Sequence, residues 1–214
     1  DEIGRTAGLR AVERLNPRRP ATGSYPVIYD ERISSGLVGH FLSAINGASI
    51  TRGSSWLKDS LGKQVLPSTC KLVENPHRLR AGASRLFDSE GLATKKREIL
   101  SKGVLNGWTL DLASARKLGM RPTANASRNV SSNPSPTNWN IELSSPEDYC
   151  DNLLSEMGDG LLVTSLIGST INPNTGDYSR GVSGFWVENG QICYPVSEIT
   201  IAGNLRDMLK KIIL

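Results

Sequence analysis

The sequence predicts an α+β fold: a mainly antiparallel sheet built from hairpins, packed or barrel-like, with three or four helices. Three observations carry that prediction. About seven to nine strand-length apolar runs arrive mostly in pairs rather than alternating with helices. Asn189-Gly190, the preferred two-residue type I′ turn, separates Gly184-Phe-Trp-Val-Glu188 from Gln191-Ile-Cys-Tyr-Pro195. Finally, 214 residues suffice for one large domain or two small ones with a real core.

The elements follow in chain order. Thr6 to Leu15 reads as a helix with Thr6 as cap and Leu9, Val12 and Leu15 turned inward, stopped by Pro17 and Pro20. Tyr25-Pro-Val-Ile-Tyr29 is a short strand leading through Asp30-Glu31-Arg32 into a helix over 34–45. In that helix Ser34 is the N-cap, and Leu37, Val38, Phe41, Leu42 and Ile45 share one apolar face. Ala48-Ser-Ile-Thr-Arg52 and Cys70-Lys-Leu-Val-Glu74 read as strands, with loops and short strands over 53–86. Glu98–Ser101 and Val104–Leu110 form a hairpin about Lys102-Gly103, and Ser114–Gly119 one helical turn ending at a glycine.

Residues 121–138 have almost no apolar content and read as a long, mobile polar loop. Trp139-Asn-Ile-Glu-Leu143 is a strand with Trp139, Ile141 and Leu143 on one face. Ser145-Pro-Glu147-Asp148 starts a helix by its cap, first-position proline and dipole-facing acids. Its buried face would be Tyr149, Leu153, Leu154 and Met157, and Gly158 would end it. Gly160–Gly168 is a buried strand, and Asn204 caps a last helix whose apolar face is Leu205, Met208, Leu209 and Ile212.

Composition narrows the function classes. The 25 Lys+Arg against 21 Asp+Glu give a net charge of +4, but the basic residues are dispersed apart from Arg18-Arg19 and Lys95-Lys96-Arg97. A nucleic-acid footprint needs a concentrated basic stripe with interleaved aromatics, and direct nucleic-acid binding is not expected. Cys70, Cys150 and Cys193 are sparse and odd in number, which fits a reducing, cytoplasmic compartment rather than a disulfide scaffold. No apolar run is long enough for a membrane helix and no leader opens the chain, so no membrane association is expected. The start at Asp1 suggests a piece of a longer protein.

Chemistry-bearing motifs are few. There is no Walker loop, no Gly-x-Gly-x-x-Gly after a strand and no zinc ribbon. Gly181-Val-Ser183-Gly184-Phe185 fails as a nucleophile elbow because Phe185 stands where the last glycine belongs, which leaves Ser183 as strand surface. Glu147 and Asp148 read as first-turn acids. The loop from Thr175 to Gly181 is loaded with polar groups; it could shape a site, or be a turn with salt bridges. His40 and His77, 37 residues apart, form no helical ligand pair, and His40 alone could be ligand, base or surface group.

Two long segments go further. Asp177-Tyr-Ser-Arg-Gly181 and the run from Gly184 to Met208, with Phe87-Asp-Ser-Glu-Gly91, Ser114–Gly119 and Ser60–Pro67, closely resemble the PmbA (TldE) branch of the TldD/PmbA family. The resemblance covers essentially the whole chain. It implies that residues 1–214 are the C-terminal PmbA/TldE-type domain, with the family's N-terminal α/β domain and last strands outside this chain. TldD-type members carry His-Glu-x-x-x-His, in which two histidines bind zinc and the glutamate activates water. His40 matches the last histidine, but Ser35 stands at the first and Gly36 at the glutamate. The family's cysteine ligand falls beyond Leu214, so Cys193 is not its counterpart.

The resemblance therefore implies a chain with no catalytic and no metal residues of its own, His40 being the motif's only remnant. It implies a subunit of a cytoplasmic, heterodimeric TldD/TldE-type zinc metalloprotease acting on peptides, with zinc in a TldD-like partner and no cofactor here. Two alternatives stay open: a hydrolase active by itself around Asp177, Tyr178 and Arg180, and a modulator of DNA gyrase.

Overall fold

The computed structural model describes residues 1–145 and 152–214. Among the described residues it contains six helices and ten strands, an α+β fold with more elements than the sequence suggested. The sheets are open: one has the order β1-β8-β9-β10, a second β4-β3-β2-β7, and β5 and β6 make a two-stranded ribbon. The barrel-like alternative is thereby corrected, since none of these sheets closes on itself among the described residues. Two compact units result. One holds Asp1–Gly36, the segment through β8 to Ile171 and Tyr178–Gly203; the other holds 37–145, Asn172–Asp177 and Asn204–Leu214.

The first unit begins with α1 (Glu2–Val12). None of its residues is buried: Leu9 and Val12 are 56% and 63% exposed, and Leu15 stands out beyond its end. The expected inward face is thus a correction; helical spacing shows which residues share a side, not what covers that side. β1 (Val27–Tyr29) pairs in parallel with β8 (Gly160–Ile171), and β8 runs antiparallel to β9 (Asp177–Glu188). The hairpin from β9 to β10 (Gln191–Asn204) turns on Asn189 and Gly190, whose φ values of 51° and 74° are the left-handed pair that a type I′ turn demands. Leu161, Val163, Val182, Trp186 and Val196 form this unit's buried apolar cluster, flanked by Val27 and Ile33. Burying a side chain of this size contributes about 1.5–3 kcal/mol.

The second unit takes in most of α2 (Glu31–Ala44), of which Phe41 and Ala44 are buried. Next comes α3 (Gly47–Thr51), where the sequence suggested a strand. Asn46 decides the matter locally: its side-chain oxygen accepts from the Ala48 N–H and caps the helix, outweighing the β preference of Ile50 and Thr51. Gly47 is required by close approach, since a Cβ there would stand 2.7 Å from Leu110 Cδ2 and 2.8 Å from Ser114 Cβ.

β2 (Lys71–Glu74) pairs on one side with β3 (Arg97–Ser101) and on the other with β7 (Ile141–Ser144), and the expected hairpin joins β3 to β4 (Val104–Leu105). α4 (Leu112–Leu118) is capped by Asp111 through the Ser114 N–H and ends at left-handed Gly119. The supposed mobile loop contains β5 (Ala126–Ser127) and β6 (Ser135–Pro136), with Asn125 fully buried. Asn125 and Asn138 turn inward to hydrogen-bond a buried carboxylate, while residues 128–133 are exposed, as their polar composition suggests. Of the helix predicted from Ser145, only α5 (Leu153–Met157) is seen, capped by Asn152 and with no buried residue; Pro146, Glu147, Asp148, Tyr149 and Cys150 lie outside the described residues. α6 (Leu205–Lys210) is capped by Asn204 as expected, with Leu205 and Leu209 buried.

Candidate functional site

α2 begins three residues earlier than the sequence suggested. Asp30, not Ser34, opens it: its Oδ1 accepts from the Arg32 N–H at 3.0 Å and from Arg32 Nε at 2.6 Å. The Arg32 guanidinium holds the Asp30 carboxyl below its usual range. Ser34 instead sits in the first turn, its hydroxyl donating to the Glu31 carbonyl. In the motif positions, Ser35 is exposed, Gly36 has open space where a side chain would begin, and His40 is half-buried. The helix is regular α throughout, so residues five apart diverge by about 140°.

Those residues do not suit a metal. A catalytic zinc takes about three protein ligands. Here the motif offers one imidazole, one hydroxyl and a glycine, and among the described residues no three His, Cys, Asp or Glu side chains come close enough to share an ion. The second histidine is engaged elsewhere: His77 Nε2 lies 3.0 Å from Thr94 Oγ1. Cys70 is buried, which pushes its thiol up, and Cys193 is exposed on β10. No chemical step can be drawn through a metal held by this chain's described residues.

The alternative constellation separates. Asp177 closes the 172–177 turn: its carboxylate accepts from the Thr175 hydroxyl at 2.6 Å and from Asn204 Nδ2 at 3.0 Å, which hold its carboxyl below the usual range. Alternation along β9 turns Tyr178 and Arg180 to the opposite face from Asp177. There Tyr178, 2% exposed, meets Tyr29 from the end of β1, the two hydroxyl oxygens 3.3 Å apart. Arg180 acts on Tyr29 by its charge, and its Nε is buried with no hydrogen-bond partner among the described residues. Burial foremost, and then the Tyr178 hydroxyl, raise the Tyr29 phenol strongly above its usual value; Arg180 opposes this. Ser183 is a half-buried member of β9 with no base beside it among the hydrogen bonds of the described residues.

Sequence reasoning missed two features. Tyr29 was legible only as the end of a strand. Glu74 was signalled by alternation, since Leu72 and Glu74 share one face of β2 and both are 1% exposed. Its carboxylate accepts from Arg97 Nε at 2.5 Å, Asn125 Nδ2 at 2.9 Å, Asn138 Nδ2 at 3.2 Å and the Trp139 N–H at 2.7 Å. Arg97 also donates to the Trp108 carbonyl and to Thr109 Oγ1. This is a closed structural network rather than a reactive site.

Comparison with known proteins gives the setting. A profile described as the PmbA/TldA metallopeptidase C-terminal domain matches residues 22–214. The chain is 46% identical to the metalloprotease PmbA of Escherichia coli O157:H7 over 99% of its own length and 45% of that protein's. A Bacteroides thetaiotaomicron crystal structure, described as a candidate modulator of DNA gyrase, superposes with a TM-score of 0.88 at 31% identity, covering 98% of this chain and 46% of that one. TldE from Thermococcus kodakarensis shares the fold, with a TM-score of 0.78 at 22% identity over 95% of this chain and 48% of that one. The chain thus spans about half the length of these relatives. Among the described residues, no helix is long and apolar enough to cross a membrane.

Proposed function

This chain belongs to the PmbA/TldA metallopeptidase family, and on that premise we propose that it is a PmbA/TldE-like subunit of a cytoplasmic peptide-cleaving complex, without a metal site of its own. A TldD-like partner supplies the zinc and the activated water. The observation that supports this reading is the motif helix itself. A hydroxyl at Ser35 and no side chain at Gly36 stand where a ligand and a general base belong, on a regular helix that turns Ser35 away from His40. Neither group can take a proton from water at neutral pH, which supports a base supplied by the TldD-like partner. The role left to this subunit is architecture and peptide binding.

The test is reconstitution. The intact protein is purified alone and with a TldD-like subunit, and zinc content and cleavage of an unfolded peptide are measured for each. Zinc and turnover are expected only with the partner. Stoichiometric zinc or turnover in the protein alone would sink the proposal, as would failure to associate with any TldD-like chain.

A further inference from the structure

Four ion pairs are seen among the described residues: Arg19–Glu198, Arg32–Asp30, Lys71–Glu98 and Arg97–Glu74. Arg180 is in none of them, although its Nε is buried and without a hydrogen-bond partner among the described residues. A guanidinium keeps its charge at physiological pH, and this half-buried one, with no counter-ion among the described residues, stays available to an anion. The Tyr29 phenol carries no negative charge, and its O–H already donates to the Tyr178 hydroxyl. The same face of β9 continues through Val182 and Trp186 of the apolar cluster. A planar cation without a counter-ion among the described residues, set beside a phenol pair and an apolar surface, suits a small planar anion carried on an otherwise uncharged ligand.

We propose that Arg180, with Tyr29 and Tyr178, forms a carboxylate-binding site on the face of the β1-β8-β9-β10 sheet that carries Val182 and Trp186, taking a carboxylate of a bound peptide. The guanidinium supplies paired N–H donors to the two carboxylate oxygens, and the hydrogen-bonded Tyr29–Tyr178 pair walls its side. The inference rests on the subunit reading above only in naming a peptide as the source of the carboxylate. Two sources share the chemistry, a free C-terminus and an Asp or Glu side chain.

Calorimetric titration of the intact protein, without any partner, tests it. The probes are N-acetyl-dialanine with a free carboxylate, the same dipeptide as its C-terminal amide, N-acetyl-glutamate α-amide, and inorganic phosphate. At least one of the two acids is expected to bind while the dipeptide amide does not, and the tighter acid identifies the source. Arg180→Gln is expected to weaken that binding by roughly 10-fold or more, Arg180→Lys by less, and Tyr29→Phe by a few-fold, all with unchanged circular dichroism. Should Arg180→Gln fail to fold, the Arg180→Lys and Tyr29→Phe affinities decide. Equal affinity for acid and amide, binding indifferent to these substitutions, or tighter binding of phosphate than of either acid would overturn the assignment. Because no protease is present, loss of the TldD-like partnership would leave this result standing, and the reverse.

Discussion

Arg97 and Arg180 are the same side chain under opposite arrangements. Arg97 lies against a carboxylate that is 1% exposed and spends Nε, Nη1 and Nη2 on Glu74, the Trp108 carbonyl and Thr109. Arg180, in the other unit, has its Nε buried beside two phenols and no carboxylate partner among the described residues. The first charge is satisfied by the chain itself and is therefore structural. The second is left for something outside the described chain, which is how binding sites differ from cores. Even the closed network has one loose end, the Asn125 Oδ1, buried without a partner among the described residues.

The largest effect expected is at the closed arginine. Glu74→Ala strands the Arg97 guanidinium and strips the acceptor from Asn125, Asn138 and the Trp139 N–H. Breaking a buried pair in this way costs about 3–5 kcal/mol, to be read from the urea midpoint at unchanged m-value. A loss no larger than that of an ordinary surface substitution, within about 0.5 kcal/mol, would break the contrast by making Arg97 as loosely held as Arg180.

That network also explains what was legible in the sequence. Signals confined to a few neighbouring residues came through: the Asn189-Gly190 turn, the Lys102-Gly103 hairpin, and the Asn204 cap. The family assignment was equally legible, because the motifs around Ser114 and from Asp177 to Met208 are long. Where partners are far apart in the chain, the reading failed. Residues 121–138 read as one polar loop because nothing near them in sequence shows that Asn125 and Asn138 serve a carboxylate 51 and 64 positions away. Ala48–Arg52, by contrast, read as a strand because a local signal, the Asn46 cap, was passed over. The motif helix was found but started late, since Asp30 was passed over as cap. Arg180 was noticed within a polar loop, yet its pairing with Tyr29 rather than Asp177 depends on the β1–β8–β9 order.

The next effect sits at the open arginine's phenol. Tyr29 has its folded-state pKa raised, chiefly by burial. The unfolded chain therefore gives up this proton first, near pH 10, and above that pH the folded state binds more protons than the unfolded one. Stability from this group is fully present below about pH 10 and falls above it by about 1.4 kcal/mol per pH unit. Tyr29→Phe should remove one tyrosine's share of that alkaline slope while costing about 0.5–1.5 kcal/mol at neutral pH through the lost hydroxyl contact. Melting curves across pH 9 to about 11.5 would show it. An unchanged slope would mean that Tyr29 ionises as if exposed, and the enclosed site would be lost with it.

The smallest effect is the most discriminating, because its sign should oppose that of Glu74→Ala. Arg180→Gln removes a half-buried charge that has no ion-pair partner among the described residues, so the fold no longer carries its desolvation. The expected change in stability is between about 0 and +1 kcal/mol, in the stabilising direction, at the urea midpoint in carboxylate-free buffer. Adding an acid that the wild type binds should then reverse the order, because ligand raises the wild-type midpoint by mass action and leaves the variant's untouched. Arg180→Gln should also push the Tyr29 phenol still higher, delaying its alkaline ionisation, since the arginine is the one group found to favour the phenolate. A destabilisation approaching that of Glu74→Ala would show that Arg180 is held by the fold as firmly as Arg97. The two arginines would then be two structural charges, with no site between them to tell apart.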